Sequence, residues 1–263
     1  MFAKQSTDKA VFLWAIYAPA TILLAPLLFS ELLTASYSPK EWTLLAASLA
    51  MQSIYAALLS YTYTAGDLSQ VYPIMRGTPT LLTPTFGVLL LGETLPVWGW
   101  VGILCMLAGF FIMLGPISAL THNRAALKPI LLAISVGLCI TTYTIIDKAN
   151  LQFVSPLALL EVTNIGFLLG LTPSVLQRGR LKQVIRKHSN IIWLGAILSP
   201  GSYFLFLLAA QNSAVSMVAP LREVGIVFGT FLGLFVLKES QGLRRITASI
   251  AVVIGIVIIA SFT

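Results

Sequence analysis

Two arginines stand inside long apolar runs, Arg76 and Arg222, and each has a glutamate 17 residues downstream, Glu93 and Glu239. A guanidinium inside a bilayer is costly, about 2.5 to 3.5 kcal/mol on insertion scales. Its position there must be offset by a cavity, an anionic ligand or an acidic partner. The guanidinium fork binds carboxylate and phosphate oxygens in pairs, which lysine cannot reproduce. The chemistry this suggests is recognition of a small anionic group. Three acids could answer the arginines: Glu223 next to Arg222, Glu161 within LLEVTNIGFLLG, and Asp147 at the end of ITTYTIIDK. Each can neutralise an arginine, and an intramembrane carboxylate can also carry a proton when a cavity changes face. Both readings stay open, with Glu161 the leading candidate for proton coupling and Asp147, close to Lys148 and a helix end, the weaker one.

Around these charges lie Trp14, Gln52, Tyr55, Tyr72, Tyr143, Tyr203 and Gln211. Tyr72, Tyr143 and Tyr203 are the favoured pathway residues because they lie near the charged positions in sequence or in the repeat described below. Pro73, Pro79, Pro84 and Pro220 each remove an i to i−4 hydrogen bond, which makes them kinks or hinges and frees carbonyls near Ser69, Met75, Thr80 and Ser216. Gly77 and Gly225, each close to an arginine, are expected to let helices approach. Glu93 and Glu239 sit at helix ends, where helix-terminal or interhelical hydrogen bonding is their expected role.

The elements that must position these residues are membrane helices. The 263 residues are 57% hydrophobic and 10% charged, far from soluble composition. A spanning helix needs roughly 20 apolar residues, and the chain divides into nine such runs, near 10–30, 42–64, 69–91, 96–115, 128–147, 154–175, 190–210, 215–237 and 243–262. The opening run exceeds a signal-peptide core, and no A-x-A site follows it. The net charge of +7 is confined to loops, which argues against a nucleic-acid partner and for a topology signal. Twelve loop lysines and arginines, among them Lys4, Lys9, Arg124, Lys128, and five in RGRLKQVIRKHSN, share one side, while Lys40 and Lys148 occupy the other. That bias places the visible N-terminus in the cytoplasm and the chain in the cytoplasmic membrane. RGRLKQVIRKHSN, Arg178 to Asn190, is expected to be a basic loop.

Sliding the sequence by 146 residues lays Ser69–Leu95 on Val215–Gln241, so that Arg76 falls on Arg222, Gly87 on Gly233 and Glu93 on Glu239. The same offset lays Trp98–Leu114 on Arg244–Ala260, with Gly102 on Ala248 and Gly109 on Gly255, a small-residue seam used twice. The duplication divides the chain into a first repeat, 1–120, with four helices and a second, 121–263, with five. An odd unit reverses sense on duplication, which gives an inverted repeat of the transporter kind.

GDLSQVYPIMRG, LLLGETL, PLRE (Pro220–Glu223) and LKE (Leu237–Glu239) resemble the EamA family of the drug/metabolite transporter superfamily. The resemblance covers essentially the whole chain and implies ten helices in two inverted five-helix repeats. AKQSTDKAVFLW resembles the family's entry to its second helix, so a first helix is expected to be missing ahead of Met1. The expected fold is an all-α polytopic membrane protein of nine helices, and the expected function is secondary transport of a small organic metabolite, anionic or zwitterionic, by alternating access. The alternatives are a non-transporting assembly subunit and a membrane-embedded lipid-modifying enzyme. The enzyme would need an acid, base or metal cluster that the motifs lack. His122 and His188 lie in expected loops, Cys105 and Cys139 in apolar runs, and there is no GxxxxGK[ST], so no metal, nucleotide or other cofactor is implied. The expected partners are a small-molecule metabolite, the lipid bilayer and a second copy of the chain in a homodimer.

Overall fold

The computed structural model describes residues 9–66, 68–114, 124–179, 181–226, 228 and 243–262. In chain order the helices are α1 (Lys9–Thr34), α2 (Pro39–Ala65), α3 (Leu68–Leu91), α4 (Val97–Leu114), α5 (Arg124–Asn150), α6 (Pro156–Arg178), α7 (Leu181–Asn212), α8 (Val215–Leu221) and α9 (Leu243–Phe262). No strand occurs among the described residues. Among the described residues, six helices are long and apolar enough to cross a membrane: α1, α2, α4, α5 from Leu127, α6 and, from Ser189, α7. The helix carrying Arg76 is not one of them. Its arginine, three prolines and four threonines dilute the leucines that make its second half apolar. Most of the expected run at 215–237 lies outside the described residues, as does Glu239.

The chain folds into two compact units, Met1–Thr64 with Thr142–Asn212, and Ala65–Thr141 with Ser213–Thr263. Each unit draws on both sequence halves, so compactness and sequence repetition divide the chain differently. In the first unit, Val11, Phe12, Ala15 and Ile16 of α1 pack on Val175 of α6 and on Val184 and Ile192 of α7. α6 begins where the Ser155 hydroxyl accepts the Ala158 N–H at 3.2 Å, with Pro156 in the first turn, positions suited to a cap and to a residue without an N–H. It stops at Gly179, whose φ of 59° is the left-handed conformation glycine adopts freely. Glu31, in the last turn of α1, accepts the Ser155 N–H at 2.8 Å and its hydroxyl. On α2, Ser53 donates to the Gly166 carbonyl of α6 at 2.8 Å. A side chain at Gly166 or Gly170 would strike the Leu49 or Ser53 carbonyl, so these glycines set the spacing of α2 and α6.

The basic run is not a loop. From Leu181 onward it is the first part of α7, and His188 is helical with it. Leu181, Val184, Ile191 and Ile192 bind this segment to the α1 core, while Lys182, Arg186 and Lys187 stay exposed. One apolar stripe was enough to turn the expected loop into a helical extension.

In the second unit α4 and α9 lie antiparallel, with Ile103, Met106, Phe110, Ile226, Val252 and Ile259 forming the core. A Cβ on Gly102 would come 2.7 Å from the Gly255 carbonyl, and one on Gly109 would come 2.7 Å from that of Ala248. Midway between them Cys105 donates to the Ala251 carbonyl at 3.4 Å. Arg244 reaches back from the start of α9 to the Met113 carbonyl at 3.1 Å and to that of Ile112. These carbonyls close α4 and have no acceptor role inside it.

Candidate functional site

Arg76 lies in the second unit on α3 and faces α8. Its Nη1 donates to Glu223 Oε1 at 3.4 Å, with the arginine side chain 32% exposed and the glutamate 6%. Tyr72, one turn earlier on the same helix, places its ring 5.7 Å from the guanidinium carbon, within cation–π range. The sequence suggested Glu223 as a partner for Arg222, its neighbour. Glu223, which follows the end of α8, pairs with Arg76 across the helices and also feels the charge of its neighbour Arg222. Arg222 is the C-cap of α8, half-buried.

The four prolines behave differently. α3 stays helical across Pro73, Pro79 and Pro84. Thr78, Thr80 and Thr85 donate to the carbonyls of Ile74, Arg76 and Leu81 at 2.8, 2.7 and 2.8 Å, bonds that bend helices without breaking them. α8 ends one residue after Pro220. The N–H groups of Arg222 and Glu223 then bond back three residues, to Ala219 at 3.3 Å and Pro220 at 3.0 Å. The tightened backbone carries both charged side chains. A Cβ on Gly77 would meet Phe110 of α4 at an ordinary 3.5 Å, whereas one on Gly225 would meet nothing described within 4 Å. Among the described residues, the close approach expected at Gly225 is absent.

The other acids lie in the first unit. α5 runs on to Asn150, so Asp147 stands in its last turn, as expected near a helix end, and is only 1% exposed. Its Oδ1 accepts from Ser48 of α2 and its Oδ2 from the Tyr203 hydroxyl of α7. Tyr143 is 6.0 Å from Tyr203 and 5.4 Å from Tyr55, ring centre to ring centre, both edge-on. Tyr55 in turn meets Phe167 at 5.9 Å, and Phe167 stacks on Tyr17 at 4.1 Å. Glu161 is fully buried on α6. Asn164 Nδ2 donates to its Oε2 at 3.3 Å, and its Oε1 has no hydrogen-bond partner among the described residues. The fold thus brings Asp147, Tyr143 and Tyr203 together, and separately Arg76, Tyr72 and Glu223.

Ser48 is the residue that sequence reasoning missed. It is 0% exposed, and its signal was its place one helical turn before Gln52 and two before Tyr55 on one face of α2. Trp14 donates to the Thr172 hydroxyl at 3.1 Å, which ties α1 to α6. Gln52 is 5% exposed beside Gly166.

No curated protein matches the chain in sequence. A solved structure described as "Crystal structure of protein" superposes with a TM-score of 0.72 at 13% identity, over 98% of this chain and 90% of that one. At that identity the likeness speaks for the fold alone. The model of the EamA-like transporter family matches residues 127–261, more than half of the chain. With its membrane-length helices the chain is a multi-pass membrane protein, and it belongs to the EamA-like transporter family.

Proposed function

We propose that the chain is a secondary transporter moving a small organic anion or zwitterion across the cytoplasmic membrane by alternating access. The observation that carries this reading is Arg76: a guanidinium on α3, one third exposed, in contact with Glu223 at 3.4 Å and flanked by Tyr72. Charge-assisted N–H···O bonds are ordinarily near 2.7 to 2.9 Å. The longer contact leaves room for a ligand carboxylate to compete with Glu223. Arg222, the repeat equivalent of Arg76, supplies the second guanidinium, and Tyr143 and Tyr203 are further candidates for contact with the cargo.

The contacts of α4 and α9 support the inverted repeat that alternating access requires. Under the 146-residue offset Gly102 and Gly109 correspond to Ala248 and Gly255, and the contacts pair Gly102 with Gly255 and Gly109 with Ala248. Cys105 corresponds to Ala251 and touches it. Reciprocal pairing of this kind is what a local two-fold axis between two copies produces.

The test is thermal stabilisation of purified protein by succinate, alanine and putrescine, a dianion, a zwitterion and a dication. Succinate or alanine should raise Tm and putrescine should not. Arg76→Lys and Arg222→Lys should each weaken that effect by roughly ten- to hundredfold in apparent affinity, the equivalent of about 1.5 to 3 kcal/mol for a lost charge-assisted bond. Stabilisation by putrescine alone, or lysine variants that bind like the parent, would make the arginines structural.

A further inference from the structure

Glu93 joins two helices that the ion pair joins again at another level. After α3 the chain turns at Gly92, with φ at 67°, and the Glu93 N–H bonds to the Gly87 carbonyl at 3.2 Å. The carboxylate then divides itself. Oε1 accepts the Val215 N–H and Oε2 the Ser216 N–H, each at 2.8 Å. These are the first N–H groups of α8, which have no acceptor within that helix. Val215 and Ser216 are both 0% exposed. Gly87 makes the contact possible: a Cβ there would come 2.7 Å from Glu93 Oε2 and 3.4 Å from the Ser216 Cβ.

Apolar packing alone would let α3 and α8 slide. A bidentate carboxylate fixes their register, and opening it exposes two buried amides that only water can satisfy. Separation of the helices at this end therefore coincides with entry of water toward Arg76 and Glu223. The tightened backbone after Pro220 gives α8 a place to bend as it does so.

We propose that Glu93 is a positioning residue for transport, a clasp that closes this end of the α3–α8 pair and opens once in each cycle. The inference rests on the transporter reading, but not on the charge of the cargo. Its test needs no ligand. In protein carrying Cys105→Ala and Cys139→Ala, reconstituted in liposomes, a reporter Thr80→Cys, buried one turn from Arg76 toward the clasp on the face of α3 that Arg76 and Gly87 share, is reacted with an impermeant maleimide. Glu93→Gln, which keeps one acceptor oxygen, should speed labelling about tenfold, and Glu93→Asp should retain part of the slow rate. Gly87→Ala, which leaves Glu93 itself unchanged but puts a methyl 2.7 Å from its Oε2, should displace the carboxylate and speed labelling by a similar factor. Labelling of Gly87→Ala at the parent rate would overturn the clasp, even if Glu93→Gln fails to fold. Because anion-induced stabilisation is measured separately, loss of the anionic-cargo reading would leave this result standing.

Discussion

Glu161 is the residue whose chemistry the packing leaves unfinished. It is fully buried, takes one long bond from Asn164, and keeps Oε1 without a partner among the described residues. An unsatisfied buried oxygen costs about 1 to 3 kcal/mol, so a purely structural acid at this position is poorly served by its surroundings. We propose that it exchanges a proton during transport. Glu161→Gln should abolish accumulation driven by a proton gradient while leaving exchange of labelled for unlabelled substrate intact. Normal accumulation in a well-expressed variant would remove Glu161 from the coupling step. Asp147 contrasts with it. Both its oxygens are used, by Ser48 and Tyr203, which equips it to hold α2, α5 and α7 together.

At the scale of elements, helix spacing is set by glycines facing carbonyls. Gly102 and Gly255 lie backbone to backbone, as do Gly170 and Ser53, and small residues of this kind are what allow membrane helices to associate closely. A methyl group at Gly102 has a carbonyl at 2.7 Å, and a carbonyl yields less readily than the tip of a side chain. Gly102→Ala should lower the Tm of purified protein, with a cost of about 1 to 3 kcal/mol for overpacking. Gly225→Ala, where a methyl meets nothing within 4 Å among the described residues, should leave Tm unchanged. Equal effects from the two would mean that α4 and α9 do not depend on that contact.

For the whole molecule the open question is sidedness. Lys182, Arg186 and Lys187 are exposed at the helical start of α7, and basic residues near membrane ends mark the cytoplasmic side. In the cysteine-free background, Lys187→Cys should resist an impermeant maleimide in intact cells and react after permeabilisation. Val97→Cys, 76% exposed at the start of α4, should react in intact cells. The opposite pattern would invert the topology.

The amino-acid sequence determined by itself what depends on composition and spacing along one chain. It specified membrane helices, the 146-residue duplication, the arginine inside α3 and the small-residue seam, because apolar length and helical period are local quantities. It also pointed to Asp147, Tyr143, Tyr203, Arg76, Tyr72 and Glu223 as residues of interest. Only the tertiary structure decided how they combine. Glu223 bonds to Arg76 and not simply to its sequence neighbour, and Asp147 takes the Ser48 and Tyr203 hydroxyls, since ion pairs and hydrogen bonds follow distance in space. The same reason governs the start of α7. Its charges read as a loop until Val184 and Ile192 found the α1 core, and burial of an apolar stripe outweighed the polar composition around it.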